Sequence, residues 1–159
     1  MSEALLSIGS NIGDRAANLM EAVRRLGSEQ GITVKAVSPF YRTAPVGPVV
    51  QDDFINGAVR ITTELQPEEL MRRCLAIEAQ MGRDRANAVR WGPRLIDIDI
   101  ILFDDISMHT DTLDLPHPRF RERAFVLVPM VDIAPEWVVA GQTLADLSST
   151  MDRAGIERA

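Results

Sequence analysis

The segment that most constrains the fold of this chain is residues 90–103, RWGPRLIDIDIILF, in which two aspartates alternate with apolar residues. Because successive side chains of a β-strand point to opposite faces, Asp97 and Asp99 are predicted to share one face and the intervening isoleucine the other. Their Cα atoms would lie about 6.6 Å apart. Carboxylates that lean to ~5 Å would repel each other by about 3 kcal/mol at an effective dielectric of 20. Water, a proton or a cation is therefore needed to offset the two charges.

The residues around this strand favour a metal and phosphate site over a pair of solvated aspartates. Strict alternation would place Leu95, Ile101 and Phe103 on the aspartate face, which makes that face mostly apolar, and carboxylates in apolar surroundings need partners. The residues just before the strand are rich in guanidinium groups, which come from Arg83, Arg85, Arg90 and Arg94. Carboxylates beside arginines suit Mg²⁺ held by oxygen ligands, with a polyphosphate that bridges the metal and the arginines. This combination is typical of phosphoryl transfer.

Length and composition indicate one ordinary globular domain, which we place at residues 1–159. The formal charge is −6, so a broad surface for nucleic acid or for an anionic membrane is not expected. The single cysteine, Cys74, falls on an apolar helix face and is predicted to pack in the core. No apolar stretch approaches the length of a transmembrane helix, and the first residues lack the pattern of a signal peptide. We expect a protein of the reducing cytoplasm, and we expect a monomer.

The pattern of apolar residues predicts an α+β fold. Strands are expected at residues 4–8, 32–37 and 54–63 and in the acidic segment, and helices at residues 16–26 and 67–81. Prolines and glycines in residues 38–53 predict a long loop without regular structure. The resulting order, β-α-β-β-α-β, is that of a ferredoxin-like antiparallel sheet with both helices on one face. A hairpin at residues 106–115 and helices near residues 125–131 and 144–151 would be added to it.

Residues 5–135 contain blocks that occur in the same order in one enzyme family: IGSNIGDR, FYRTAPVGP, FINGAV, GRDR, RWGPRLIDIDIILF and LPHPRFRERAFVLVPMVDIAP. Through these blocks the chain resembles the 6-hydroxymethyl-7,8-dihydropterin pyrophosphokinase family of the folate pathway. The resemblance implies a ferredoxin-like fold. It also implies transfer of the terminal pyrophosphoryl group of ATP to the hydroxymethyl oxygen of the pterin, with release of AMP, and two Mg²⁺ ions with ATP as co-substrate.

The resemblance implies roles for residues on the ATP side. Asp97 and Asp99 match the two metal ligands of the family, and together with Arg83 and Arg94 they form the implied catalytic set. The residues that match ATP-binding positions are Arg83, Arg85, Trp91, Arg94, Ile100, His117 and Arg123. Arg85 and Trp91 also match residues of a mobile loop that closes over the substrates and excludes water. The chain departs from the pattern at Leu75, Thr112 and Asp114, where some members have glutamine, arginine and threonine.

The pterin pocket of the family is matched more completely. Phe54 and Phe125 match two aromatic rings that sandwich the flat bicycle, and Asn56 matches a side chain that pairs with its amide-like edge. The full set of implied pterin-binding residues is Thr43, Pro45, Val46, Phe54, Asn56, Trp91 and Phe125. Glu78 matches an acidic helix residue to which the sequence assigns no role.

Two other functions are compatible with parts of the pattern. A ferredoxin-like RNA-binding module would present aromatic side chains on its sheet, but the acidic charge, the 5% aromatic content and the lack of an RNP1-like segment disfavour it. A Mg²⁺-dependent phosphohydrolase could use the same aspartates. Its products would be ADP or free phosphate in place of AMP and a pterin diphosphate.

Overall fold

Six strands form one antiparallel sheet in the computed structural model of the chain, which describes residues 1–45, 47–82 and 95–159. The strands of this sheet are β1 (Ser2–Ser10), β2 (Ile32–Val37), β3 (Tyr41–Thr43), β4 (Phe54–Thr63), β5 (Asp97–Phe103) and β10 (Ile156–Arg158). The described residues also contain the short strands β6 (Met108–His109), β7 (Asp114–Leu115), β8 (Val138–Val139) and β9 (Gln142–Thr143). The helices are α1 (Arg15–Ser28), α2 (Pro67–Gln80), α3 (Ala124–Ile133) and α4 (Leu144–Ser148). The predicted α+β class is confirmed.

Strand β1 is an interior strand of this sheet. It pairs with β4 on one side and with the acidic strand β5 on the other. Strand β4 also pairs with β2 and β3, and β10 pairs with β3. Two small hairpins, β6 with β7 and β8 with β9, lie outside the sheet. The acidic strand and the C-terminal strand therefore lie at opposite edges of the sheet.

Helices α1 and α2 cover one face of the sheet. The Asp14 carboxylate accepts a hydrogen bond from the Ala17 N–H at 3.2 Å, and Pro67 begins α2, so both predicted helix starts are confirmed. Their buried side chains recur at helical spacing: Leu19, Ala22 and Leu26 in α1, and Leu70, Cys74 and Ile77 in α2. Cys74 is buried in this core, which confirms the predicted packing role, and burial raises the pKa of its thiol to about 12.

Helix α3 covers only part of the opposite face. Val126, Leu127 and Met130 pack there on Leu5 and Ala58 of the sheet. The end of the sheet where β1 finishes and where β4 and β5 begin is left without this covering. That uncovered end carries the polar residues described below.

A β-bulge changes the alternation along β5. Ile100 and Leu102 pair with neighbouring residues of β1, so Ile101 is an extra residue. Ile101 and Leu102 both face the core under α3, whereas Phe103 faces the core under α1 and α2. The prediction that Phe103 shares the aspartate face is therefore wrong, because the bulge reverses the alternation before the strand reaches it.

The prediction that residues 38–53 lack regular structure is wrong for the strand β3. Tyr41, Arg42 and Thr43 lie between prolines, and they pair with the first residues of β4. Prolines on either side do not prevent a three-residue strand, and pairing with a neighbour overrides weak local propensity.

The C-terminal part of the chain contains both expected and unexpected elements. The hairpin predicted at residues 106–115 is confirmed by the β6 and β7 pair, and the two predicted helices are confirmed as α3 and α4. The β8 and β9 hairpin and the strand β10 were not predicted. Within the described parts of the chain, no helix has both the length and the hydrophobicity needed to cross a lipid bilayer.

Candidate active site

A cavity of about 680 Å³ opens at the uncovered end of the sheet. Strand residues form its floor: Ser7, Gly9, Thr43, Phe54, Asn56, Asp97, Asp99, Ile101 and Ile156. Its walls come from the residue after β3, from the connection before α3, from the start of α3 and from the C-terminal segment: Ala44, His117, Arg119, Glu122, Arg123, Ala124, Phe125, Val126, Asp152, Ala154 and Gly155. Its size is that of a typical small-molecule site.

A row of paired residues crosses the floor of this cavity. Gly9 of β1 pairs with Asn56 of β4 on one side and with Asp97 of β5 on the other. Directly opposite residues of an antiparallel pair project to the same face, so the Asn56 amide and the Asp97 carboxylate rise on either side of a residue without a side chain. Two strand spacings separate their backbones by about 10 Å. Across the floor, the Asn56 amide, which we call the recognition group, is therefore followed by the flat surface over Gly9 and then by the Asp97 carboxylate.

The Asn56 side chain is fixed in a buried position. It is 5% exposed, and its Nδ2 donates to the Thr43 hydroxyl at 2.7 Å. An amide nitrogen has two hydrogens and the amide oxygen accepts two hydrogen bonds. The Thr43 contact uses one donor and sets the orientation of the amide, so its other groups are presented in a defined direction.

Two aromatic rings and a guanidinium group border the same space. Phe54 and Phe125 both line the cavity and are half-buried. The Arg123 guanidinium lies 5.8 Å from the centre of the Phe125 ring, within the range of a cation–π contact. Arg123 thus connects the aromatic part of the cavity with its charged part.

The two predicted metal ligands, Asp97 and Asp99, line the cavity together. Both are half-buried, while Ile98 and Ile100 point into the core beneath α1 and α2, as the strand period predicts. Glu78 of α2 is 1% exposed, and its carboxylate accepts the Ile98 N–H at 2.7 Å. The structure thus gives Glu78 a role that the sequence did not: it fixes the backbone between the two aspartates from behind the sheet.

His117 lies on the side of the cavity that holds the aspartates. Its backbone N–H donates to the Ile101 carbonyl at 2.9 Å, and its ring Nδ1 accepts the Arg119 N–H at 3.3 Å. Burial and then the charge of Arg123 lower the pKa of His117, although Asp114 and Asp97 oppose this shift. A neutral ring with Nδ1 as acceptor carries its proton on Nε2, which can donate to an anion.

The cavity contains most of the predicted site residues that the structure describes. Thr43, Phe54, Asn56, Asp97, Asp99, His117, Arg123 and Phe125 all line it. Pro45 does not line it, and the Ile100 side chain faces the opposite core, so a side-chain contact of Ile100 with a ligand in the cavity is excluded. None of Leu75, Thr112 and Asp114 lines it either. Val46, Arg83, Arg85, Trp91 and Arg94 lie outside the described residues.

Some lining residues had no predicted role. Gly9 belongs to the IGSNIGDR block and Arg119 to the block around His117. Membership of these blocks could have indicated that both residues lie at the site. The turn from Asp152 to Gly155 and the following Ile156 had no such signal. Their position depends on a strand pairing between residues more than a hundred positions apart.

Comparisons with known proteins identify the family of the chain. A family model described as 7,8-dihydro-6-hydroxymethylpterin-pyrophosphokinase (HPPK) matches residues 5–135. A 2-amino-4-hydroxy-6-hydroxymethyldihydropteridine pyrophosphokinase of Methylorubrum extorquens is 49% identical over 158 residues, which are 99% of each chain. The enzyme of the same description from Bacillus subtilis is 46% identical over 133 residues, which are 84% of this chain and 78% of the relative.

A solved structure supports the fold independently. The chain superposes on a crystal structure of wild-type Plasmodium falciparum HPPK-DHPS with pterin and p-hydroxybenzoate with a TM-score of 0.73, over 99% of this chain and 46% of that one. Because the two are only 16% identical, this likeness concerns the fold alone. The comparisons support neither an RNA-binding module nor a phosphohydrolase. The family match and the close full-length relative show that this chain belongs to the 7,8-dihydro-6-hydroxymethylpterin-pyrophosphokinase family.

Proposed function

We propose that the cavity carries out the family's pyrophosphoryl transfer from ATP to 6-hydroxymethyl-7,8-dihydropterin across the row formed by Asn56, Gly9 and Asp97. The observation that carries this proposal is the row itself. It has an oriented amide at one end, a carboxylate at the other and a flat floor between them. A planar bicycle over Gly9, paired with Asn56, would direct its hydroxymethyl group toward the aspartates.

On the pterin side, the proposed contacts are stacking and pairing. Phe54 and Phe125 would enclose the ring, which aromatic stacking favours by about 0.5–1.5 kcal/mol beyond the burial of area. Asn56 would offer its remaining donor and its oxygen to the amide-like edge of the pterin. Thr43 would act through Asn56, because its hydroxyl already accepts the Asn56 amide.

The donor set suits Mg²⁺. Within the described residues, no three histidine, cysteine or acidic side chains are grouped as a protein-only metal cage. Mg²⁺ usually takes one or two carboxylates and completes its shell with water and substrate phosphates. Asp97 and Asp99 on the cavity floor would provide the two carboxylates. Bound there, the metal would neutralise charge on the phosphates during transfer. We propose two ions, as the family resemblance implies.

The remaining charged residues would hold the ATP phosphates. His117 would donate from Nε2, and Arg123 and Arg119 would supply positive charge on the same wall. The roles expected for Arg83, Arg85, Trp91 and Arg94 also belong to this proposal, although these residues lie outside the described part of the chain.

We also propose the ferredoxin-like topology that the sequence predicts. The strand order β5, β1, β4, β2 supports a ferredoxin-like arrangement. We further propose that residues 1–159 act as one domain, as a monomer in the cytoplasm, without a nucleic-acid partner.

Product analysis tests the proposed chemistry. The purified chain with Mg²⁺, ATP and the pterin should give AMP and a pterin diphosphate, separable by ion-exchange chromatography. Asp97→Asn and Asp99→Asn should each abolish turnover with an unchanged circular dichroism spectrum, because a neutral amide oxygen lacks the negative charge that holds Mg²⁺ at this site. Asp105→Asn, in the exposed turn after β5, is the matched control and should retain activity. Production of ADP or phosphate, or normal turnover in either site variant, would contradict the proposal.

A further inference from the structure

We propose that the C-terminal strand β10 is a positioning element of the pterin site. It lies beyond residues 5–135, which the family model matches, yet Asp152, Ala154, Gly155 and Ile156 line the cavity. This inference rests on the proposed assignment of Asn56 to the pterin.

Residues 152–155 form an ordered turn before β10, and this turn lies at the cavity wall. The Asp152 carboxylate accepts the Ala154 N–H at 2.9 Å, and the Ile156 N–H donates to the Arg153 carbonyl at 3.3 Å. Gly155 has a φ of +79°, a conformation that side chains disfavour. The wall at this point is therefore an ordered turn followed by a strand.

Strand β10 supports the strand that holds Thr43. Without β10, β3 would be a three-residue edge strand paired only with β4. Ile156 pairs with Thr43, and the N–H of Ala159 donates to the Phe40 carbonyl at 3.0 Å. Because Thr43 accepts the Asn56 amide, the backbone of β10 is connected to the recognition group through one residue.

A second contact lies beside the other end of β10. The Tyr41 hydroxyl donates to Asp132 of α3, and Tyr41 pairs with Arg158 across the two strands. Burial and the Asp132 carboxylate raise the pKa of Tyr41, while Arg158 opposes the shift. The phenol is therefore protonated, and its hydrogen bond to Asp132 joins β3, the strand that β10 supports, to α3.

The alternation of antiparallel pairing identifies the residue to change. Since Ala159 and Phe40 are directly hydrogen-bonded, the pair two positions earlier, Glu157 with Arg42, should also be a hydrogen-bonded pair. Proline at 157 removes a backbone donor there. Glu157→Ala keeps the donor and removes only an exposed ion pair with Arg42 at 3.9 Å, which contributes little.

Calorimetric titration should separate the two variants. With Mg²⁺ and a non-hydrolysable ATP analogue present, Glu157→Pro should raise the Kd of the pterin by about fivefold or more, the equivalent of one hydrogen bond. The Kd of the ATP analogue should stay within about twofold. Glu157→Ala should change neither. If Glu157→Pro does not fold, Ile156→Val replaces it, and it should weaken pterin binding about fourfold, the loss expected for one buried methylene.

Combination with Asn56→Ala distinguishes positioning from a general structural effect. If β10 acts through Thr43 and Asn56, Glu157→Pro should add less than about twofold in the Asn56→Ala background. The inference would be overturned if the effects of Glu157→Pro and Asn56→Ala on pterin binding were fully additive. It would also be overturned if Glu157→Pro weakened both ligands equally or left the pterin Kd unchanged. If Asn56→Ala alone leaves pterin binding unchanged, the proposed pterin assignment itself fails, and the inference fails with it.

Discussion

Replacement of Gly9 by alanine should remove pterin recognition while leaving the fold intact. An alanine Cβ at this position would lie 2.5 Å from the Asn56 Oδ1 and 3.6 Å from its Cγ, and real Cβ atoms do not approach an oxygen so closely. The Phe54 Cδ1, at 3.7 Å, would be in ordinary contact. Since Gly9 lies in a regular strand pair, the effect would come from the clash with Asn56 and not from backbone strain.

The magnitude follows from what the Asn56 side chain would lose. Rotation away from the new methyl group would break its 2.7 Å hydrogen bond to Thr43, a loss of about 1 kcal/mol in the free energy of unfolding. It would also leave the polar edge of the pterin without its partner, at a cost of roughly 1–3 kcal/mol in binding. Pterin affinity should therefore fall by roughly fivefold to 150-fold. ATP binding should barely change, because Asn56 lies at the other end of the row.

Calorimetric titration of the pterin and of an ATP analogue measures both effects, and urea unfolding measures stability. Gly27→Ala is the matched control: its Cβ would make only an ordinary 3.7 Å contact with Val34, and alanine is favoured over glycine within a helix. In the Asn56→Ala background, the cost of Gly9→Ala should drop below about 0.5 kcal/mol. Pterin binding within twofold of the wild type, or an undiminished cost without the Asn56 amide, would refute this reasoning.

Two further predictions concern the opposite wall and the back of β5. Because burial lowers the pKa of His117 below its ordinary value of 6.5, the unfolded chain binds this proton at a higher pH, so the free energy of unfolding should fall as the pH decreases below about 6.5. A bound ATP analogue should raise the pKa of His117, because the negative phosphates favour the protonated ring. NMR titration can measure this pKa, and the variant His109→Gln identifies which signal belongs to His117. An unchanged His117 pKa on binding would show that this residue does not contact the phosphates. Glu78→Gln, which keeps an oxygen acceptor for the Ile98 N–H, should destabilise the chain less than Glu78→Leu by about 1–3 kcal/mol in urea unfolding. Equal losses in the two variants would show that this hydrogen bond is not what Glu78 contributes.

Much of the local structure could be predicted from the sequence. The features that could be predicted depend on residues only a few positions apart. They are the helix starts at Asp14 and Pro67, the core position of Cys74 and the shared face of Asp97 and Asp99. Such features follow from side-chain spacing and capping, which act over a few residues whatever the rest of the chain does. The family is likewise indicated by the sequence alone, because the blocks that carry the resemblance are continuous segments in a fixed order along the chain.

The arrangement of the site depends instead on long-range pairing, which spacing along the chain does not contain. The register of β1 with its two neighbours brings Asn56 and Asp97 to either side of Gly9, and a one-residue slip in either pair would turn one of them to the other face. The bulge at Ile101 and the contact of Glu78 with Ile98 likewise arise only when strands and helix pack together. Strand β10 is ordered by a neighbour more than a hundred residues away. Tertiary structure, through backbone hydrogen bonds between distant segments, therefore decided how the residues indicated by the sequence became one site.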